Sequence, residues 1–396
     1  MGRIKNSKHK QKIRRNITLF PYYNFFRRFQ VESVIIIIYF ALVLDSYTKA
    51  MSLVSIYSIS VCFLEIPAGV FSDKVGRRLT LTISPIFGFL MYILLILGGL
   101  NKSYILFALS SICFGMKAAL NSGTDKALIF ETLAELKKKN KFHNAYGKIG
   151  SISEMSLGVS ALIGGIIATK SFITVFVIGA FVQFCCMMLG LFFVEPKEIE
   201  RSKDNPFKLF KDALKIMILT KKLRNMSIAK VTFMSNSLTS HTIQPLFLKV
   251  FVPLWVLGFT RTLKHTTGFF GFWFSGKIID KISHIRSLVS GICAMSSINL
   301  LAVFISSVIT PFLMSFSNFF YGLQETSRIS LFQMEFTDKQ RATMESIISM
   351  LSNVSFAIMS LIGGYIADLV SPKFAIILLE IFVLSSAILY YRALKK

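Results

Sequence analysis

The feature that most constrains this chain is a succession of apolar blocks about 20 residues long, the length that spans bilayer hydrocarbon at about 1.5 Å per residue. The chain has 396 residues, of which 53% are hydrophobic and 39 are Phe, far more than a soluble core needs. Such blocks must be helical, because lipid offers no partner to peptide N–H and C=O groups. They fall at roughly 19–45, 50–71, 79–100, 103–131, 148–169 and 172–194, then at roughly 226–248, 252–276, 286–307, 310–333, 343–368 and 373–391. The expected fold is an all-α membrane protein of 12 transmembrane helices. Its first half is 1–194, a cytoplasmic linker covers 195–225, and its second half is 226–396. The linker holds Pro196, Pro206 and the stretch Phe207–Ile218, whose bases alternate with apolar residues at helical spacing, as in a helix lying on a membrane surface.

The formal net charge of +25 raises nucleic acid as a partner, but the distribution of the bases argues against it. Residues 1–31 hold Arg3, Lys5, Lys8, Lys10, Lys12, Arg14, Arg15, Arg27 and Arg28 and no acid; further clusters lie at Lys137–Lys141 and between Lys197 and Arg224. Bases gathered in alternate loops mark the cytoplasmic side of a membrane protein. The N-terminus, the loops at 72–78, 134–148, 277–286 and 337–341, the linker and Arg392–Lys396 fall on that side. Asp45, Lys49, Lys102, Lys170 and Lys249 fall on the other. An even number of spans then places both termini in the cytoplasm. Cys62, Cys113, Cys185, Cys186 and Cys293 sit in apolar runs without metal or disulfide spacing and read as packing residues. No cleavable signal pattern precedes the first span.

The two halves repeat. Gly69-x-x-x-Asp73-Lys74 recurs 207 residues on as Gly276-x-x-x-Asp280-Lys281, and Phe114-Gly115 recurs at the same offset as Tyr321-Gly322. Leu162-Ile-Gly164-Gly165-x-Ile-Ala168 recurs 199 residues on as Leu361-Ile-Gly363-Gly364-x-Ile-Ala367. The change of offset falls where the first half has the longer Lys-rich loop. The two halves are therefore expected to be pseudo-symmetric six-helix bundles, and the glycine pairs to permit close helix packing.

The loop after the second span reads Gly69-Val-Phe-Ser-Asp73-Lys74-Val-Gly76-Arg77-Arg78. It resembles the signature G-x-x-x-D-[RK]-x-G-[RK]-[RK] of the major facilitator superfamily and matches at every fixed position. The resemblance implies a secondary transporter working by alternating access, in which this loop locks the two halves together in one state. On the residues alone, Gly69 and Gly76 suit close approach and a tight turn, and Asp73 suits a helix N-terminus. The second copy departs from the pattern: Ser283, His284 and Ile285 map onto Gly76, Arg77 and Arg78.

Three stretches resemble a bacterial branch rich in multidrug exporters: Glu65-Ile-Pro67-Ala-Gly69, Ser122-Gly-Thr-Asp125-Lys126 through Glu131, and Lys339-Gln-Arg341-Ala-Thr343. Two marks of that branch are incomplete. The fourth helix has Lys117 and Asn121 where such exporters carry Arg and Gly, and the fifth has Ser160-Ala161 where they carry Gly-Pro.

Charged residues inside spans are costly in lipid and turn to protein or water. Glu65, Lys117 and Asp125 in the first half are therefore the candidates for substrate or proton chemistry. The candidates in the second half are Arg261, Lys264, His265, Glu325, Arg328 and Gln324, onto which Lys117 maps by the 207 offset. Each has a structural alternative. Glu65 can meet Lys117 or Lys126, Glu325 can pair with the bases of the eighth helix, and His241 and His265 can be packed hydrogen-bonding residues. Glu154 and Glu380 are buried acids without an assignable partner.

The residues contain no nucleophile–base–orienter set and no metal cluster, so the chain reads as a transporter and not as an enzyme, without cofactor. The expected activity is proton-coupled efflux of small amphipathic compounds or drugs. The alternatives are uptake of a small anionic or zwitterionic nutrient and, in another class, a non-transporting membrane sensor or scaffold. The expected partners are a small-molecule substrate and the lipid bilayer, with no nucleic acid, for a monomer in a bacterial plasma membrane.

Overall fold

A computed structural model describes residues 2–138, 142–196, 206–335 and 341–394. Lys139–Lys141, the linker residues 197–205, the 336–340 loop with Lys339, and Lys395–Lys396 lie outside the described residues, as do the side chains of Arg3, Lys5, Lys8, Lys10 and Arg341. The regular structure is helical: α1 (Gly2–Arg28), α2 (Ile36–Leu44), α3 (Tyr47–Val75), α4 (Arg77–Leu100), α5 (Tyr104–Asn121), α6 (Thr124–Glu135), α7 (Phe142–Ala168), α8 (Phe172–Leu191), α9 (Pro206–Leu219), α10 (Lys221–Leu248), α11 (Leu254–Ile282), α12 (His284–Ile305), α13 (Thr310–Glu335), α14 (Arg341–Leu369) and α15 (Pro372–Leu394). Twelve spans account for all of them once the first is divided into α1 and α2, the fourth into α5 and α6, and α9 is assigned to the linker. Among the described residues eight helical segments, one of them α5 and α6 taken together, are long and apolar enough to cross a membrane. α10, α11 and α13 carry more polar residues, and their place among the spans follows from the repeat.

The divisions have local causes. Gly123 adopts φ 75, a conformation that glycine reaches without strain, and it separates α5 from α6. The first span, expected to be continuous over 19–45, opens between Arg28 and Ile36 although no Pro or Gly lies there. Tertiary contacts hold it open. The Gln30 amide donates to Ser160 Oγ at 3.2 Å, and Gly164 lies so close to the Val31 carbonyl that a Cβ would collide with it. Elsewhere Ser103 and Ser171 cap α5 and α8 with their hydroxyls, each accepting from the N–H three residues on.

The chain divides into two compact units, 1–33 with 56–202 and 34–55 with 203–396. In the first unit α4 packs on α5 and α8, and α1 on α7 and α8. In the second unit α12 packs on α13 and α15, and α10 on α14 and α15. These are the same span pairs, so the repeat extends to packing. The first unit's interior is built on Phe20, Tyr23, Leu81, Leu133, Ile149 and Phe193, and the second on Met226, Phe233, Leu288, Ile292, Ile348 and Tyr390. Phe63, Phe181, Trp273 and Phe304 are exposed, the outward apolar surface that lipid would cover.

Within the second unit α2 packs on α10, and the start of α3 is fixed by α14. Asp368 accepts from Ser46 Oγ (2.8 Å) and from the amides of Tyr47 (2.7 Å) and Thr48 (2.8 Å), which satisfies the N-terminus of α3. Ser55 Oγ donates to the Ala357 carbonyl at 2.7 Å, and Gly364 gives room to Met51. Gly363 gives room to Thr239 and Ile243.

Candidate functional site

Two helices, α3 and α4, meet at Gly76, whose φ of 107 and ψ of 155 turn the chain sharply. The N-terminus of α4 that this turn exposes is satisfied by Glu195, a residue beyond the end of α8. Its carboxylate accepts from the amides of Arg77 and Arg78, both at 2.7 Å. An anion there is favoured by the orphan N–H groups and by the helix dipole. A Cβ on Gly76 would come within 2.8 Å of that carboxyl, so glycine is required for the approach as well as for the φ.

Glu195 is held in place from both sides. Asn16 on α1 exchanges two hydrogen bonds with the Val194 backbone (2.7 and 2.9 Å), and Arg78 donates to the Leu191 carbonyl at 2.8 Å. The Arg77 guanidinium then braces the loop, reaching Asp73 at 2.7 Å, Ser72 at 2.9 Å and Glu131 on α6 at 3.2 Å. Sequence reasoning assigns the helix N-terminus to Asp73. The structure gives it to Glu195, and Asp73, exposed by 59%, faces Arg77 instead. Lys74 is exposed, and a Cβ on Gly69 would meet no atom within 4 Å, so close helix approach is not the role of that glycine. In the second copy Gly276 is equally open, and Asp280 and Lys281 are exposed.

The first unit carries a partly open cavity of about 510 Å³. Its wall carries Arg27, Arg28, Lys117 and Lys126 against Asp125 and Glu154, with the stacked rings of Tyr57 and Phe114 (centroids 4.6 Å apart) beside them. Of the sequence candidates Lys117 and Asp125 come together here, and Glu65 does not line it. Glu65 accepts from Ser122 Oγ at 2.8 Å, a hydroxyl rather than the lysine partner expected. Asp125, in the first turn of α6, pairs with Arg27 at 3.1 Å. Arg27 is steered by Asn24, which is itself held by Ser153 (2.7 Å) and the Ile149 carbonyl (3.1 Å).

Lys117 differs from its neighbours. Its side chain is only 4% exposed, its Nζ has no hydrogen-bond partner among the described residues, and it lies 5.8 Å from the centre of the Phe114 ring. The acid whose charge acts on it is Glu32, which accepts from the Tyr92 hydroxyl in the opening between α1 and α2. Sequence reasoning passes over Glu32, Tyr92, Glu195 and Asn16. An acid inside the apolar run Val31-Glu32-Ser33-Val34 is the available signal for the first.

The second unit places its charges differently. Glu325 does not meet the bases of α11, because it pairs with Arg328 on its own helix. Arg328 is 1% exposed, with its guanidinium 4.4 Å over the Phe233 ring and 3.8 Å from Met234 Sδ. Gln324 points instead at α12, where its amide lies 3.8 Å from Met295 Sδ. On α11, Arg261, Lys264 and His265 are half-buried. Lys264 Nζ lies 2.8 Å from His241 Nδ1, which also lies 3.1 Å from Gln244 Oε1. Glu380 finds partners that the sequence does not assign: it accepts from Ser240 Oγ at 2.7 Å and from Asn299 Nδ2 at 3.1 Å.

Duplicated helical halves with apolar outer surfaces, charges turned inward and a polar cavity within one half define a multi-pass membrane protein of the solute-carrier type. The sequence profile described as Major Facilitator Superfamily matches residues 24–323 and 262–396, and the chain belongs to that family. Among solved structures it is similar to the nucleoside transporter NupG, at a TM-score of 0.81 and 11% identity over 96% of this chain and 100% of that one. It is similar also to the POT family transporter PepTSo (TM-score 0.76, 12% identity, 96% and 97% covered) and to a bacterial homologue of the human lysosomal transporter Spinster (0.74, 13%, 97% and 97%). At these identities the likeness shows the fold, which is the twelve-helix architecture expected. No curated protein matches the chain.

Proposed function

We propose that the protein is a secondary active transporter working by alternating access, and that its solute is a small organic anion or zwitterion bound in the cavity of the first unit. The observation that supports this reading is the balance of charge in the wall. Four bases face two acids there, and Arg27 is already paired with Asp125, while buried Lys117 has no hydrogen-bonding partner among the described residues. A buried ammonium without a direct hydrogen bond is costly even with the Glu32 charge acting on it, and a carboxylate or phosphate on the solute would offset that cost. The stacked Tyr57 and Phe114 rings suit an apolar or planar portion of the same molecule.

That aromatic pair also supports a second reading, proton-coupled efflux of amphipathic compounds, with Asp125 and Glu154 facing a cationic drug. In both readings the Gly69–Arg78 loop acts as the conformational lock, a proton is the coupling ion, and the monomer sits in a bacterial plasma membrane with both termini cytoplasmic.

The test is flux into proteoliposomes across a panel of radiolabelled monocarboxylates, amino acids, 5-aminolevulinic acid, nucleosides and cationic dyes. The expected result is transport of a carboxylate-bearing solute. Lys117→Gln should weaken its apparent affinity roughly ten- to a hundredfold, the loss of one charge-assisted hydrogen bond of about 1.5–3 kcal/mol. Transport of the cationic dyes alone, unaffected by Lys117→Gln, would overturn the anion reading in favour of efflux.

A further inference from the structure

Glu380 sits in the middle of α15, 1% exposed, and nothing in the cavity of the first unit explains it. Its two oxygens have different surroundings. Oε1 is committed as an acceptor, because Ser240 Oγ on α10 and Asn299 Nδ2 on α12 both donate to it. At its other end Asn299 Oδ1 lies 2.8 Å from Ser317 Oγ on α13, whose single hydrogen is shared between this oxygen and the Met314 carbonyl, also at 2.8 Å. Oε2 has no hydrogen-bond partner among the described residues. Beside the carboxylate lies the fully buried Ser296, one turn before Asn299, whose hydroxyl meets hydrogen-bond geometry to no described residue.

The balancing charge is near but not in contact. Lys264 on α11 acts on Glu380 through its charge, while its ammonium is bonded to His241 Nδ1, the residue next to Ser240. Four other charges on the surrounding helices are engaged elsewhere. Lys222 pairs with Glu335, Lys230 lies over the Phe332 ring, Glu345 accepts from Gln333, and Asp368 holds the start of α3. The charged groups that bear on Glu380 are therefore Lys264 and, through it, His241 and Arg261 on α11, whose charge acts on both of them.

From this arrangement we propose that Glu380 is a proton-exchange site of the second unit, with Oε2 as the atom that takes up and releases the proton and Ser296 as its reversible partner. A hydroxyl can serve both forms. In the anion Ser296 donates to Oε2 and Lys264 offsets the charge. In the acid the incoming proton, carried by water, forms an O–H bond on Oε2 and donates to Ser296 Oγ, and the charge of the cluster rises by one. Oε1 keeps the same two donors in both states, so neither form leaves a buried acceptor stranded. A carboxylate meant as a permanent ion pair would meet its lysine directly; one meant to stay neutral would have no lysine beside it.

The inference rests on the reading of the chain as a proton-coupled transporter, but its test needs no solute. Purified full-length protein in lipid films is stepped from mildly acidic to mildly alkaline buffer, and the infrared band of protonated carboxyl groups is followed. Wild type should lose a buried-carboxyl component that Glu380→Gln lacks from the start, and Lys264→Gln should move its midpoint. Ser296→Ala leaves the carboxylate in place and should also move the midpoint, so the proposal is read even if Glu380→Gln fails to fold. Identical titrations in wild type, Glu380→Gln and Ser296→Ala would overturn it. A titrating band with no flux of any panel solute would instead retain the proton site and reject transport. Solute flux without the band would do the reverse.

Discussion

The first motif loop turns at Gly76 and the second turns 207 residues later at Ser283, and their backbones are alike: φ 107 and ψ 155 in one, φ 76 and ψ 157 in the other. Each stands between two long helices, α3 and α4 or α11 and α12. The side chains differ. At Gly76 the following helix is capped by Glu195 and braced by Arg77 to Asp73 and Glu131. At Ser283 a residue with a Cβ occupies a conformation that L-residues adopt at a cost, and His284 Nδ1 after it has no hydrogen-bond partner among the described residues. The comparison teaches that duplication preserved the turn as geometry while the polar network exists in the first copy. The conformational role proposed for the motif is therefore assigned to that copy.

Three substitutions sharpen the contrast, each read as a displacement of the unfolding midpoint in mixed micelles. The largest effect is expected for Gly76→Ala. It adds strain at positive φ, about 1–2 kcal/mol, and pushes a methyl against the Glu195 carboxyl, for a total loss of about 2–3 kcal/mol. An unchanged midpoint would mean that the turn is not under the constraint described. Glu195→Gln keeps an acceptor but removes the charge from the helix N-terminus, and a smaller loss of about 1 kcal/mol is expected, diminishing with added salt. Ser283→Gly should act in the opposite direction and stabilise by roughly 0.5–1 kcal/mol, because the strain relieved exceeds the entropy that glycine adds to the unfolded chain. Destabilisation by this change would show that the Ser283 side chain makes a contact of its own.

Much of the fold was legible because bilayer physics is severe. Apolar blocks of spanning length admit only helices, and the blocks at 226–248, 252–276 and 310–333 put the more polar α10, α11 and α13 among them. The division of the first span was not legible, since its cause is the Ser160 hydroxyl and the Gly164 surface some 130 residues away in sequence, not a breaker in the span itself. The same holds for the site. Lys117 and Asp125 stood out as charges in apolar helices, whereas Glu195 looked like an ordinary acid at the edge of the linker. Its role depends on Asn16 and Arg78 fixing the end of α8, which no local pattern reports. The pairing of Glu325 was missed for a related reason: its partner Arg328 is one turn away on the same helix, while Lys264 of α11 meets His241.

The most direct test of the account is a paired substitution at the two copies of the motif acid, Asp73→Asn and Asp280→Asn, with flux of the solute found by the panel measured for both. The lock assigned to the first copy predicts that Asp73→Asn lowers flux roughly tenfold or more, within the range of a coupling between conformational states, while Asp280→Asn leaves it within about twofold of wild type. Equal losses at the two positions, or a loss confined to Asp280→Asn, would contradict it.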